Sequence, residues 1–158
     1  SYAAFCIGVS QCHPTSLGYI RLKSPDPNEA PEIQPNYLAT EHDRQELLEA
    51  IQFLRRLANT PTMRDIISSE IEPGSLIVDD EGLMNHAREQ GGTVYHPAST
   101  CRMGPDTTTN VVNADLKVHG VEGLRIADAS IFPSLPSGNT NGPAIMVGEK
   151  ASELILNH

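Results

Sequence analysis

Alternating apolar and polar positions predict two strands in the first 24 residues. Residues 5–12 are mostly apolar and predict a largely buried strand. Residues 17–24 alternate more clearly, with Ile20 and Leu22 expected to point inward and their charged neighbours outward. The turn-forming residues 13–16 separate the two runs, so we expect the strands to pair antiparallel.

Helical periodicity dominates the middle of the chain and its end. Four prolines in residues 25–36 predict an extended surface loop with a short edge strand at most, because proline has no N–H to donate. A helix is expected to begin at Thr40, where the sequence resembles a capping box. Shorter helices are predicted over 62–68 and 79–90, and a last helix over about 143–156. The packing face of the last helix is expected to consist of Ile145, Gly148, Ala151, Ser152 and Ile155.

Length and charge narrow the classes of protein. The 158 residues correspond to about one domain, and the elements above predict an α+β fold in which helices pack on an antiparallel sheet. A formal net charge of −9 disfavours a nucleic-acid partner, because an acidic chain repels phosphates. No apolar run reaches the ~18 residues that a membrane-spanning helix needs, so no membrane span is predicted.

Cysteine content and spacing bear on location and on metals. The chain has three cysteines, Cys6, Cys12 and Cys101, and an odd number does not favour a disulfide framework. A reducing compartment, and hence a cytoplasmic location, is the simpler interpretation. The spacing of these cysteines with His13 and His96 fits no common zinc pattern, so we predict no metal site.

His96 is the first candidate for chemistry. It follows a β-like segment and precedes Pro97, which fixes its backbone in an extended form. A histidine on such a rigid turn can act as a positioned base near neutral pH. The alternative for an isolated histidine is a core side chain bonded to a carbonyl, and the residues alone favour that alternative.

A second loop places amides and a carboxylate close to the last helix. Asn139 and Asn141 precede this helix, whose N-terminal N–H groups attract electron-rich ligands. The alternative is that both asparagines only cap the helix. Asp128, at a strand end, either contacts a cofactor hydroxyl or caps a turn, and composition leaves this open.

Five segments resemble one enzyme family. Residues 96–104 (HPASTCRMG) are similar to a hallmark of the glucose-methanol-choline (GMC) oxidoreductases, FAD-dependent enzymes that act on alcohols. Residues 115–130 and 138–151 resemble the segments that follow in that family, while 16–27 and 35–38 resemble its substrate-domain sheet. The resemblance therefore covers nearly the whole chain.

The resemblance implies a reaction and two catalytic residues. A histidine at the position of His96 faces the flavin in this family and accepts the hydroxyl proton of an alcohol, while hydride passes from the alcohol carbon to FAD. Asn139 occupies the place of the second residue, which lies opposite the histidine. Together the two would hold one oxygen, with one group as base and the other as donor.

The resemblance also assigns residues to the cofactor. Asp128 and Ala129 match positions near the ribityl and pyrophosphate part of FAD. Thr140, Asn141 and Gly142 match the backbone that passes the pyrimidine edge of the isoalloxazine. The nearby helix N-terminus would favour negative charge on reduced flavin.

The same comparison predicts how the chain relates to a larger protein. Residues 1–92 are expected to be a portion of the substrate-binding domain, and residues 93–158 the catalytic loop and a segment that completes an FAD-binding domain. The dinucleotide fingerprint G-x-G-x-x-G of the N-terminal Rossmann part is absent. The expected partner is therefore that missing N-terminal portion, and the chain alone is expected to be inactive.

Exposed apolar surface should follow from such a missing portion. We expect Val147, Ile145 and Leu154 on the last helix to be less buried than their types suggest. Such a surface would also permit a homo-oligomer.

One residue departs from the family pattern, and two other functions stay open. The family usually has glycine where this chain has Ser99, which would alter a tight turn if a positive φ is needed there.

A lyase of the same fold is one alternative function, because lyase members of the family retain the histidine. Decarboxylase-like members lack it. The other alternative is a catalytically silent binding module.

Overall fold

A computed structural model describes residues 3–157. The chain is a mixture of helices and one small antiparallel sheet. The elements are β1 (Tyr19–Arg21), β2 (Glu32–Gln34), α1 (Glu41–Ala58), α2 (Pro61–Arg64), α3 (Asp80–Gln90), a 3-10 turn (Ala129–Ile131) and α4 (Asn141–Leu156). The described residues divide into a first compact unit (3–11, 15–17 and 36–94) and a second compact unit (12–14, 18–35 and 95–157).

The sheet forms from different segments than the hydrophobic pattern predicts. β1 pairs antiparallel with β2, with Ile20 opposite Ile33, and residues 5–12 contain no strand. The predicted pairing of 5–12 with 17–24 is therefore wrong. Ile20 and Leu22 are 50% and 86% exposed rather than inward. A two-stranded ribbon has little surface to bury, which accounts for this exposure.

The first unit is built on the predicted helices. The Thr40 hydroxyl accepts a hydrogen bond from the Asp43 N–H (3.2 Å) and starts α1, and Asp79 caps α3 in the same way. Leu48 of α1 packs with the buried Leu83 and Met84 of α3. Both helix starts are confirmed because a cap is a local signal. The predicted helix over 62–68 is shorter and ends at Arg64.

A buried carboxylate anchors the N-terminal segment of the first unit. Asp43 is almost fully buried and accepts hydrogen bonds from the N–H groups of Thr15 and Ser16, the Thr15 hydroxyl (all 2.8 Å) and the Gln11 amide (3.1 Å). Burial alone would raise the pKa of this carboxyl, but the hydrogen bonds from Ser16 and Thr15 outweigh it and hold the pKa well below its usual range. Asp43 is therefore ionised in the folded chain at neutral pH.

The second unit has a core but few regular strands. Its β-like segments touch through single bridges, such as those between Val112 and Val118 and between Lys117 and Arg125. The β-like segment predicted directly before His96, at residues 93–95, forms no strand. The buried core of this unit consists of Val112, Leu116, Ile131, Phe132, Val147 and Ala151.

Helix α4 buries a different face than expected. Val147 and Ala151 pack into the core, with Leu154 half-buried beside them, whereas Ile145 and Ile155 are exposed. The predicted packing face is therefore wrong except at Ala151. The expectation of exposure is confirmed at Ile145 (59% exposed) and wrong at Val147 (5%), because Val147 packs against residues of the 3-10 turn.

Candidate active site

Backbone hydrogen bonds join the two loops that carry the candidate residues. Alternate N–H groups of residues 99–103 donate to the three carbonyls of residues 129–131, at 2.8–3.2 Å. This ladder fixes the loop that follows His96 against the 3-10 turn that follows Asp128. Both loops belong to the second unit.

His96 lies beside the start of α4. It is half-buried, and its Nδ1 is 2.9 Å from the Thr140 hydroxyl oxygen. Within residues 3–157, its Nε2 has no hydrogen bond. The partner is thus a side-chain hydroxyl of the second loop, and the alternative of a core histidine bonded to a carbonyl does not describe this site. One ring nitrogen remains for an external group.

The amides before α4 are exposed. The N-cap of α4 is Thr140, which is buried and makes no side-chain capping bond. Asn139 and Asn141 are exposed, and neither side chain hydrogen-bonds within the described part of the chain. They do not cap this helix. Because Asn139 adjoins Thr140, its amide lies in the same part of the second unit as the His96 ring.

Asp128 has the capping role that the sequence left open. Its Oδ1 accepts from the Ser130 N–H at 2.8 Å and starts the 3-10 turn. It also borders an open cavity of about 310 Å³. Two of the five predicted cofactor residues, Asp128 and Ala129, line this cavity together with the loop after His96, and Thr140, Asn141 and Gly142 are not part of its lining. The lining residues are Ile20, Pro97, Ala98, Thr100, Asp128, Ala129 and Ser130.

The first turn of α4 has free space beside Gly142. A side chain added at Gly142 would meet no atom within 4 Å, so the first turn of α4 is open. Among residues 3–157, no group of three or more His, Cys, Asp or Glu side chains could hold a metal ion. No helix within this range is both long enough and apolar enough to cross a membrane.

A family model described as GMC oxidoreductase matches residues 14–148. The chain belongs to the GMC oxidoreductase family. The match is to the C-terminal domain of this family. It agrees with the motifs at 96–104 and 138–151, whose loops meet at the His96–Thr140 contact.

Among relatives of this GMC domain, an oxygen-dependent choline dehydrogenase of Photobacterium profundum is 40% identical over 153 residues, which are 96% of this chain and 27% of that protein. A mitochondrial choline dehydrogenase of Mus musculus is 38% identical, over 98% of this chain and 26% of that protein. The chain thus spans about a quarter of the length of the curated relatives it matches.

Solved GMC structures resemble the chain in fold. Pyridoxine 4-oxidase from Mesorbium loti superposes with a TM-score of 0.87 at 28% identity, covering 93% of this chain and 28% of that one. A fungal aryl-alcohol oxidase superposes with a TM-score of 0.82 at 36% identity, covering 92% and 24%.

Ser99 of this GMC domain combines two unfavourable features. Its φ is +69°, in the left-handed region that favours glycine, as the departure from the family pattern suggested. Its hydroxyl oxygen is also buried without a hydrogen-bond partner in the described part of the chain. Residues on either side of Ser99 line the 310 Å³ cavity. Such local costs often occur at functional loops.

Sequence reasoning missed two contacts at this site. The sequence predicted a role only for the backbone of Thr140. The contact of its hydroxyl with His96 has no sequence signal apart from a threonine at a helix start. His13 was considered only as a metal ligand, but its Nε2 lies 2.6 Å from the Ser137 hydroxyl. That contact joins the turn before Asn139 to His13 within the second unit.

Proposed function

We propose that the protein containing this chain oxidises a CH–OH group of an alcohol, with FAD as its cofactor. The observation that carries the proposal is the His96 ring, whose Nδ1 is 2.9 Å from the hydroxyl of Thr140 and whose Nε2 has no partner among the described residues. The exposed Asn139 directly precedes Thr140 in the chain. A base and a hydrogen-bond donor on one alcohol oxygen are what this oxidation requires.

The relatives support this reaction type. Their names include choline dehydrogenase and aryl-alcohol oxidase, and both names refer to oxidation of an alcohol. Identity near 40% over nearly the whole chain leaves the site residues within the aligned part. The choice of alcohol is a separate property, because the chain covers only about a quarter of such a protein.

His96 would accept the proton of the alcohol at Nε2. A histidine suits this role because it exchanges a proton near neutral pH. Asn139 would donate its amide N–H to the same oxygen, which gathers negative charge as the proton leaves. Neither the Asn139 amide nor the Nε2 of His96 has a hydrogen bond in the described chain, so both groups are free to make these contacts.

Residues of this chain would contact one side of an FAD molecule. Asp128 and Ala129, at the rim of the 310 Å³ cavity, would contact its ribityl and pyrophosphate part. Thr140, Asn141 and Gly142 would pass its pyrimidine edge, where the open first turn of α4 leaves room. When bound, FAD supplies the hydride acceptor. The N-terminus of α4 would favour negative charge there.

The rest of the cofactor site would come from the N-terminal portion of a longer protein. The phosphate-binding fingerprint has no match in these 158 residues, and the relatives are several times longer. We therefore expect the isolated chain to bind FAD weakly and to show no turnover. A cytoplasmic location and a homo-oligomer stay predictions, to be checked by cell fractionation and by sedimentation.

Anaerobic reduction of the flavin tests the proposal. The complete open reading frame containing this chain would be purified, and its visible absorption followed before and after adding a panel of alcohols that includes choline. We expect flavin bands that at least one alcohol bleaches. Bound flavin that no alcohol reduces would contradict the proposal and favour the lyase alternative, and absence of flavin would favour a silent module.

Two variants then test the roles of the residues. His96→Ala should slow flavin reduction by roughly 10²–10⁴-fold, the usual range for loss of a general base. Asn139→Ala should slow it by a smaller factor while FAD content stays unchanged. His42→Ala, an exposed histidine of α1, is the matched control and should reduce at the wild-type rate.

A further inference from the structure

The side chain of Thr140 points in an unusual direction for the first residue of a helix. A threonine at this position normally has extended backbone, and its hydroxyl accepts a hydrogen bond from the helix. Thr40 does so at the start of α1, with φ −90° and ψ 153°. Thr140 instead has φ −78° and ψ −10° and makes no capping bond. Its hydroxyl is thus not used by α4.

The Thr140 hydroxyl forms a hydrogen bond with His96. The Oγ1–Nδ1 distance of 2.9 Å joins residues 44 positions apart, and Thr140 is buried. The two nitrogens of the rigid, planar imidazole are separated by one ring carbon and point in different directions, so a bond at Nδ1 fixes the direction in which Nε2 points. His96 follows Tyr95, whose φ is +60°, so the backbone that carries the ring is also constrained.

We propose that Thr140 is a positioning residue for His96. In neutral His96 the ring proton would lie on Nδ1 and be donated to Thr140 Oγ1, which leaves the Nε2 lone pair to take the alcohol proton. After that transfer both nitrogens carry protons, the electron pair of the broken O–H bond stays on the alcohol oxygen, and Nδ1–H still donates to Thr140. The inference rests on the proposed function of His96.

A hydroxyl suits this role because it holds the ring through both states. It accepts from Nδ1–H before and after proton transfer, so the ring need not turn during the reaction. A misplaced base slows the chemical step much more than it weakens substrate binding. We therefore expect loss of the hydroxyl to lower kcat, with little change in KM.

Two substitutions at Thr140 separate the hydroxyl from the shape of the side chain. In the complete FAD-loaded enzyme, Thr140→Val keeps the volume and should lower kcat roughly ten- to hundredfold. Thr140→Ser restores the hydroxyl and should recover most of the kcat that Thr140→Val loses. Thr107→Val, the same change at an exposed threonine, is the matched control and should not alter kcat.

Three outcomes would overturn the proposal. Wild-type kcat in Thr140→Val would show that the hydroxyl has no role in the reaction. Equal loss in the serine and valine variants would show that the hydroxyl alone does not sustain kcat, since serine keeps the hydroxyl. A fall in FAD content in the valine variant, read from the flavin absorption, would show that the hydroxyl acts on the cofactor and not on His96.

A spectroscopic measurement tests the contact without relying on turnover. Nitrogen-15 NMR of the complete protein with labelled histidines reports which ring nitrogen carries the proton, and His96→Gln assigns the signal. We expect Nδ1-protonated His96 in wild type and a mixture of tautomers in Thr140→Val. A wild-type ring protonated at Nε2 would overturn the proposal. If no alcohol reduces the flavin but the tautomers behave as expected, the proposed function fails while the Thr140 contact stands.

Discussion

Ser99 shows how a single residue can store an unfavourable conformation in the candidate site. A serine at φ +69° costs roughly 1–3 kcal/mol relative to glycine at the same position. Its buried hydroxyl, which lacks a partner in the described chain, adds a desolvation cost of about 1–3 kcal/mol. A glycine at position 99 would avoid both costs, but its greater freedom in the unfolded chain would lower the free energy of unfolding by about 0.5–1 kcal/mol.

We therefore predict that Ser99→Gly stabilises the protein by at least about 1 kcal/mol. Thermal unfolding of the complete protein, followed by circular dichroism, measures the change. Ser69→Gly is the control, because Ser69 is exposed and has no positive φ. This variant should be as stable as wild type or slightly less stable. A lower Tm for Ser99→Gly would mean that residues outside this chain, or the cofactor, bind the hydroxyl.

Asp43 is a residue whose charge stabilises the first unit. Its depressed pKa means that the folded chain binds the proton more weakly than the unfolded chain, whose ordinary value is 3.8. This stability is fully present above about pH 4 and is lost as the pH falls below it. Asp43→Asn removes the charge and replaces one acceptor oxygen with a donor that faces backbone N–H groups.

We predict that Asp43→Asn destabilises the protein by roughly 2–3 kcal/mol at pH 7. Urea unfolding at pH 7 and pH 3 measures this, and the gap between variant and wild type should narrow at the lower pH. Asp65→Asn, at an exposed carboxylate, is the control and should change little. A gap that stays constant between the two pH values would refute the role of the charge.

At the scale of elements, the helices were predictable and the sheet was not. The starts of α1 and α3 depend on Thr40 and Asp79, whose hydrogen bonds reach only three residues along the chain. β1 depends on partner residues that lie 11–15 positions further along the chain, within a proline-rich segment. Local patterning cannot choose among such partners, so residues 5–12 were assigned a strand they do not form.

The candidate site was predictable to a similar degree. The segments that contain His96 and Asn139 could be found from sequence, because their order and spacing resemble those of the GMC family. The Thr140–His96 contact could not, because it depends on a backbone conformation at Thr140 that departs from the usual one at a helix start. The direction of one hydroxyl is decided by tertiary structure.

Gly18 is the point at which the β1–β2 hairpin needs a glycine. A Cβ added there would lie 2.0 Å from the carbonyl oxygen of Gln34 and 2.6 Å from that of Pro35. These are backbone atoms of the paired segment, so the hairpin must shift to admit a methyl group. The need arises from close approach of two backbones and not from the φ of Gly18.

We predict that Gly18→Ala destabilises the protein by about 1–3 kcal/mol. Gly8→Ala is the matched control, since a Cβ at Gly8 meets nothing within 4 Å and should be neutral or slightly stabilising. Denaturant midpoints of the two variants compare them directly. Equal midpoints would mean that the hairpin adopts another geometry in solution.

At the scale of the whole molecule, α4 has one face buried in this chain and another that is exposed. Val147 and Ala151 belong to the core of the second unit, whereas Ile145, Met146 and Ile155 are more than half exposed. Relatives roughly four times as long supply a reason, because the remainder of such a protein would cover this face.

We predict that Ile145→Ser destabilises the complete protein by about 1–3 kcal/mol, although Ile145 is 59% exposed here. The lost stability would come from apolar contacts between Ile145 and residues outside this chain. FAD content should fall as well, because the part of the protein that covers this face of α4 would be held less tightly. Lys150→Ser, at an exposed polar position of the same helix, is the control and should be nearly neutral. If Ile145→Ser matched that control in both Tm and flavin content, the exposed face of α4 would be an outer surface of the complete protein. Residues 93–158 would then have to complete an FAD domain through a different contact.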